Sequence, residues 1–284
     1  MRIFLVCILV TLFSFSGQGQ KRDVVYNASL SGFASTQKTL PFWAVSNRHG
    51  LMPNGNGTLL ELGFYSDFTN KHKIQFAYGV SAGGYLSSPG NKIILDQLFV
   101  SARWRKLRLD LGMIQPEEEY NGVSSTNGDF VRSGNSRTFP GYNLRSDFID
   151  IPGTKGIIAF QFNWADYMMT DNSYVKDIRL HNKSLYVKIT PHRRWEIIAG
   201  LEHWAQWAGK HPTLGKQPGS FSDYGRIIFA DGGGAGATTS DSINALGNHL
   251  GREYLRINYL AGNYILSFYH DIPFEDGSGT DFRS

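Results

Sequence analysis

Lys106 to Ile114 reads KLRLDLGMI. In an extended chain Leu107, Leu109, Leu111 and Met113 fall on one face, and Arg108, Asp110 and Gly112 on the other. The same period-2 split recurs along the chain. Ile74, Phe76, Tyr78, Val80 and Ala82 oppose Gln75, Ala77, Gly79, Ser81 and Gly83. Ile158, Phe160, Phe162 and Trp164 oppose Ala159, Gln161 and Asn163, and Leu255, Ile257 and Tyr259 oppose Tyr254, Arg256 and Asn258. Alternation sustained over segments this long commits the chain to β-strands with one apolar and one polar face.

Soluble sandwiches alternate too, so length and connections must decide. Strands in globular proteins average about 5 to 6 residues, whereas a tilted membrane strand needs about 9 to 11. The long segments here fit the second class. Short links at Thr69 to Lys71, Arg105-Lys106, Pro191 to Arg194 and Ala261 to Asn263 contrast with long ones at 35–56, 115–140 and 208–251. Short turns at one end and long loops at the other are the habit of outer-membrane barrels. The links keep their parity only if GYNLRSDFID forms a further strand over 141–150. The expected strands are then 24–34, 57–68, 72–86, 93–104, 106–114, 141–150, 156–167, 183–190, 195–207, 252–260 and 263–270. Bacterial single-chain barrels close with an even number. About eleven strands therefore read as an all-β, transmembrane antiparallel barrel that is incomplete, an open sheet with its apolar face toward lipid.

The first 19 residues carry one charge, Arg2, followed by an apolar run from Ile3 to Phe15 and small residues through Gly19. That is the layout of a secretory signal peptide, too short to span a membrane as a helix. Residues 1–19 are thus expected as the signal and 20–284 as the partial barrel. The single cysteine, Cys7, lies in this segment, so the mature chain is expected to form no disulfide and no thiolate metal site. A lipid anchor on Cys7 is the alternative to a plain filler of the apolar run. The formal charge of +4 falls to +3 without Arg2, too small to argue for nucleic acid. No apolar stretch of about 18 residues follows the signal, which excludes a helical membrane protein.

Several motifs invite chemistry and do not sustain it. Gly153-Thr154-Lys155 lacks the upstream glycine of a phosphate loop, and a strand follows where a helix is needed. Pro152 and Gly153 instead suit the second and third positions of a type II turn joining two antiparallel strands. Gly79-Val80-Ser81-Ala82-Gly83 matches the nucleophile-elbow pattern, yet it sits inside an unbroken alternating strand. Asp231 to Ala237 reads as a flexible loop rather than a dinucleotide fingerprint, and Glu275 to Asp281 has the composition of a calcium loop without its ligand spacing. Glu196 and Glu202 share a face but lie roughly 20 Å apart at about 3.4 Å per residue, too far for a glycosidase pair. Ion pairing with Arg or Lys is their expected role. No HExxH occurs, and no cofactor or catalytic activity is expected.

Five stretches together resemble the capsule assembly Wzi family as it occurs in Bacteroidetes-type bacteria. They are Pro41-Phe42-Trp43 with Asn47-Arg48-His49-Gly50, Ser133 to Arg137, Asp150 to Gly156, Asn244 to Gly251, and Phe274 to Gly279. The resemblance implies an outer-membrane barrel of eighteen strands that helps attach capsular polysaccharide to the cell surface, described as a lectin without known chemistry. Family members are considerably longer than this chain. A binding and assembly protein for surface polysaccharide is one expectation, and a diffusion channel built from the same strands is the other. For the first, the candidate contacts at the outer mouth are Arg132, Arg137, Tyr142, Asn244, Asn248 and His249, with Trp204 just below on the lumen face. Guanidinium groups would engage sugar carboxylates, amides the hydroxyls, and rings the apolar sugar faces. Outer-membrane lipid is the other expected partner.

Overall fold

The computed structural model describes residues 13–14, 24–37, 39–69, 72–88, 90–117, 129–170, 173–234 and 236–275. The expected signal segment apart from Phe13–Ser14, residues 118–128 of one long link, and 276–281 of the acidic stretch lie outside the described residues. The chain is mainly antiparallel β-sheet with a few short helices. It forms two compact units, residues 1–102 with 111–138 and residues 103–110 with 139–284.

In the first unit β1 (Phe13–Ser14), β2 (Val24–Phe33), β3 (Gly57–Ser66), β4 (Ile74–Ser87) and β5 (Gly90–Trp104) are neighbours in that order. Pairing runs from Val24↔Ser66 to Phe33↔Gly57 between β2 and β3, and from Gly57↔Ser87 to Ser66↔Tyr78 between β3 and β4. β6 (Leu107–Met113) contributes to both units. The link after β2 carries the single turn α1 (Phe42–Val45) and then lays Leu51 against Leu59 and Ile94, with Phe33, Met52 and Tyr85 packed around them. Ser81 lies in mid-strand with its hydroxyl on Asp96 at 3.1 Å. A nucleophile elbow would need it at a strained strand-to-helix turn.

In the second unit the order is β7 (Gly141–Ser146), β9 (Ile158–Met168), β10 (Arg179–His192), β11 (Trp195–Trp207), β14 (Asn248–Ala261) and β15 (Tyr264–Phe274). β8 (Ile149–Asp150) pairs separately with β9, and β12 (Lys210–His211) with β13 (Gly215–Lys216) forms a small hairpin. The expected strand over 141–150 is thus interrupted. Ser146 Oγ accepts the Phe162 amide at 3.1 Å, and the Asp147 amide turns to Lys106 O at 2.8 Å, so residues 147–148 leave the β9 ladder. The link that follows is the type II turn: Gly153 has φ 87°, and Thr154 N donates to Ile151 O at 3.2 Å.

β15 bonds to β14 alone, and β2 to β1 and β3, so among the described residues the sheet is not closed. Each of the long strands expected from the sequence has a counterpart, with ends displaced by a few residues.

Burial is inverted relative to a water-soluble sheet. Polar residues are buried in each unit, Asp96 and Ser101 in the first and Asp110, Asn182 and Arg252 in the second. On the apolar face Phe76, Leu98, Val100, Leu185 and Leu201 are all more than half exposed. Large apolar side chains left in water forgo about 1.5 to 3 kcal/mol each, so a whole face of them is a costly surface for an aqueous protein to keep.

Candidate functional site

The link between β11 and β14 folds back on the second unit. Helix α2 (Phe221–Phe229) opens with a capping box, in which Ser220 Oγ accepts from Asp223 N and the Asp223 carboxylate takes the Ser220 amide. It ends on Ala230 in the left-handed conformation. Ile227 is fully buried with Ala205, Trp207 and Leu246, and Tyr224, Ala208 and Ala237 pack around them. After α3 (Thr239–Ile243) the chain rejoins the sheet at Gly247, with φ 88°, where a Cβ would stand 2.5 Å from Gln206 O. Only glycine fits that approach.

Under α2 lies a cleft of about 620 Å³ lined by Tyr142, Asp166, Met168, Arg179, Trp207, Phe221 and Tyr224, among others. That volume is within the usual range for small-molecule sites. Asp166 organises its floor. One carboxylate oxygen accepts the Tyr142 hydroxyl at 2.5 Å and the Tyr224 hydroxyl at 2.7 Å, while the other lies 3.0 Å from His181 Nδ1. The His181 side chain is fully buried, and because a carboxylate oxygen only accepts, the contact is a hydrogen bond when Nδ1 holds the proton. Trp164 Nε1 donates to the Tyr224 oxygen at 3.3 Å. Burial and the adjacent carboxylate raise the Tyr224 phenol well above its ordinary range, so it stays a donor. The Trp207 ring stacks on Tyr224 at 5.3 Å, and the Arg179 guanidinium lies over Trp207 at 5.0 Å.

The opposite face of the same strands carries a second network. Glu202 accepts Trp204 Nε1 at 2.7 Å, the Tyr186 hydroxyl at 2.8 Å and Asn182 Nδ2 at 3.2 Å, and faces Arg252 at 3.3 Å. Arg252 also reaches Asp271 at 3.6 Å. Glu196 lies 3.9 Å from both Lys188 and Arg256. Both glutamates therefore have the cationic partners expected of them.

The candidate residues from the sequence fall in both units and, within the second, on both faces of the sheet. Arg132 and Arg137 belong to the first unit. Arg132 pairs with Asp129 at 2.7 Å, and Arg137 donates to Leu95 O at 2.7 Å. In the second unit Tyr142 forms a wall of the cleft, whereas Trp204 is buried on the other face, stacked on Tyr167 at 6.3 Å. His249 is held from both sides. Its Nε2 donates to Leu246 O at 2.7 Å, which leaves Nδ1 to accept from His203 Nε2 at 2.8 Å. Asn244 and Asn248 are exposed.

Asp166, Arg179, His181, Trp207 and Tyr224 were not singled out by sequence reading. The available signal was parity. Asp166 continues the Ile158, Phe160, Phe162, Trp164 series, and His181 and Lys183 precede Leu185 and Val187 on the same face. Polar residues at the end of an otherwise apolar face are the departure from the pattern that could have drawn attention to them.

Four of the five stretches that carry the family resemblance meet in pairs. His49 N donates to Gly134 O at 2.9 Å and Arg48 N to Asn135 Oδ1 at 3.0 Å, so two distant segments form one loop junction. Gly251 pairs with Phe274, whose ring covers the space a side chain would need. Compared with known proteins, the chain matches no family model and no curated sequence.

Proposed function

We propose that the chain is an outer-membrane β-sheet protein that holds surface polysaccharide at the long-link end of its strands, in the manner of the capsule assembly family it resembles. The observation that carries this reading is an exposed apolar sheet face that ends in an aromatic cleft with one carboxylate and one guanidinium. Such a face suits lipid, and such a cleft suits sugar: rings cover apolar sugar faces, Asp166 accepts hydroxyls, and Arg179 engages acidic groups.

Aromatic residues at both ends of the apolar face support the membrane assignment. Trp195 and Tyr259 touch at 4.8 Å at the short-turn end, and Tyr142 and Trp164 lie toward the other. At about 3.3 Å per residue, Trp195 to Trp207 spans about 40 Å. A 45° tilt reduces that to about 28 Å, close to the apolar band of about 25 Å in outer-membrane barrels.

The test has two arms. Protease shaving of intact cells should cut within 35–56, 115–140 or 208–251 and spare Pro191 to Arg194; the reverse pattern overturns the topology. Capsule retention and binding of purified capsular polysaccharide should fall for Trp207→Ala and Arg179→Ala, with Arg132→Ala, Arg137→Ala and Trp204→Ala reporting on the sites read from sequence. Normal insertion with unchanged binding in all five would show that both proposed sites are wrong, and an inserted parent chain that binds no polysaccharide would remove the role itself. A diffusion channel is the second reading, because Lys188, Glu196 and Arg256 line the polar face. Bilayer conductance without polysaccharide binding would favour it.

A further inference from the structure

The cleft opens on an unexpected side of the sheet. Tyr142 pairs with Asp166, Leu144 with Trp164, Met168 with Arg179, and Arg179 with Trp207. These residues share the face of Leu185 and Leu201, the exposed apolar one, and not the face of Glu202 and Arg252. A polysaccharide held in a lumen would meet the polar face. A ligand in this cleft sits at the end of the surface assigned above to lipid.

Helix α2 extends that surface. Tyr224 and Ile227 turn toward the sheet, while Phe221 and Phe229, at its two ends, are 91% and 76% exposed. Ile243 of α3 is 78% exposed. The cleft has the exposed Phe221 in its lining and Leu144 and Trp164 next to Tyr142 and Asp166 on the same face, from which Phe162 and Leu185 follow in register, and it has a polar interior formed by Asp166, Ser220, the two tyrosine hydroxyls and the exposed Arg179. That division matches an amphiphile whose head group is sugar, acidic or phosphorylated, and whose tail is hydrocarbon.

We infer that the cleft binds a glycolipid of the outer leaflet, its saccharide head under α2 and its acyl chains along the exposed face that includes Leu185 and Leu201, with Phe221 and Phe229 in the leaflet. The inference rests on the membrane and saccharide reading above and adds the lipid anchor of the ligand.

The experiment uses the full chain in phospholipid nanodiscs and two probes: lipid A bearing its core oligosaccharide, and the same oligosaccharide freed of its acylated part. The glycolipid should bind roughly tenfold or more tighter than the freed saccharide, since the tail adds apolar burial. Arg179→Ala should weaken both probes by about tenfold through loss of a charge-assisted contact. Phe229→Ser, which lies outside the cleft lining and is already exposed, should weaken the glycolipid about fivefold and leave the freed saccharide unchanged. Equal affinity for the two probes would overturn the glycolipid assignment and leave the saccharide reading standing. Binding of neither probe, in a chain shown to be inserted, would overturn both. Failure of the chain to enter nanodiscs at all would overturn the membrane reading itself and the inference with it.

Discussion

Tyr224 of α2 donates its phenolic hydrogen to Asp166 of β9 at 2.7 Å, across 58 residues of chain. This bond ties the helix to the sheet at the floor of the cleft. Hydrogen bonds to charged groups contribute about 1.5 to 3 kcal/mol. Tyr224→Phe should therefore keep the ring stacked on Trp207 and still loosen α2 by an amount in that range. Amide exchange across 221–229 should accelerate while β10 and β11 stay protected; unchanged exchange would show that apolar packing alone holds the helix.

The start of α2 offers an independent handle. Ser220→Ala removes the hydroxyl that caps Asp223 N, a loss of about 1 kcal/mol. A selective increase in proteolysis within 208–247 is the expected readout, and wild-type resistance would contradict it.

Asp223 makes the same helix sensitive to acid. Its hydrogen bonds from Ser220 and the Arg226 guanidinium depress its pKa below the ordinary 3.8. A depressed carboxylate contributes stability above its unfolded pKa and loses it as pH falls through the lower folded one. Protection of α2 should hold from neutral pH to about pH 5 and fall below about pH 4. Asp223→Asn should flatten that dependence, and an unaltered acid transition in the variant would assign it to another group.

Two glycines separate strain from crowding. Gly153 has positive φ with open space around its Cβ position, whereas Gly247 has positive φ and the Gln206 carbonyl in the way. Gly153→Ala should cost about 1 kcal/mol for left-handed backbone alone. Gly247→Ala should cost visibly more and release the chain between α3 and β14. Equal effects in urea titrations would mean that the Gln206 approach relaxes freely.

Arg252 is the cation at the centre of the polar-face network. Arg252→Met leaves the Glu202 carboxylate without its cation, and breaking a buried pair from one side costs about 3 to 5 kcal/mol. Adding Glu202→Gln should recover much of the loss. No recovery in the double variant would mean that Tyr186 and Asp271 depend on Arg252 directly.

How far these features could be read in the sequence depends on their periodicity. Alternation placed the strands because both faces are long enough to show it, and the Pro152-Gly153 pair located a turn because its chemistry is local. The break after Ser146 was hidden, because it depends on one hydroxyl taking the Phe162 amide. Helix α2 was hidden too. Nine residues are too few for a 3.6 period to stand out, and its apolar side is defined only by Ala205 and Trp207, which belong to another element. The cleft followed it into obscurity: Asp166, His181 and Tyr224 are scattered in sequence, and only strand register brings them together.

The long excursion between β11 and β14 has a kinetic consequence. The hairpins around Arg193-Arg194 and Gly262-Asn263 close over two residues, so β10 with β11, and β14 with β15, can zip locally and early. Joining β11 to β14 requires a loop of about forty residues to close, and the entropy of that closure must be met before its contacts form. The cleft exists only once α2, which lies within that loop, has docked on β9 and β11. Ligand recognition therefore awaits the folding of the loop, and a sheet paired without it is silent.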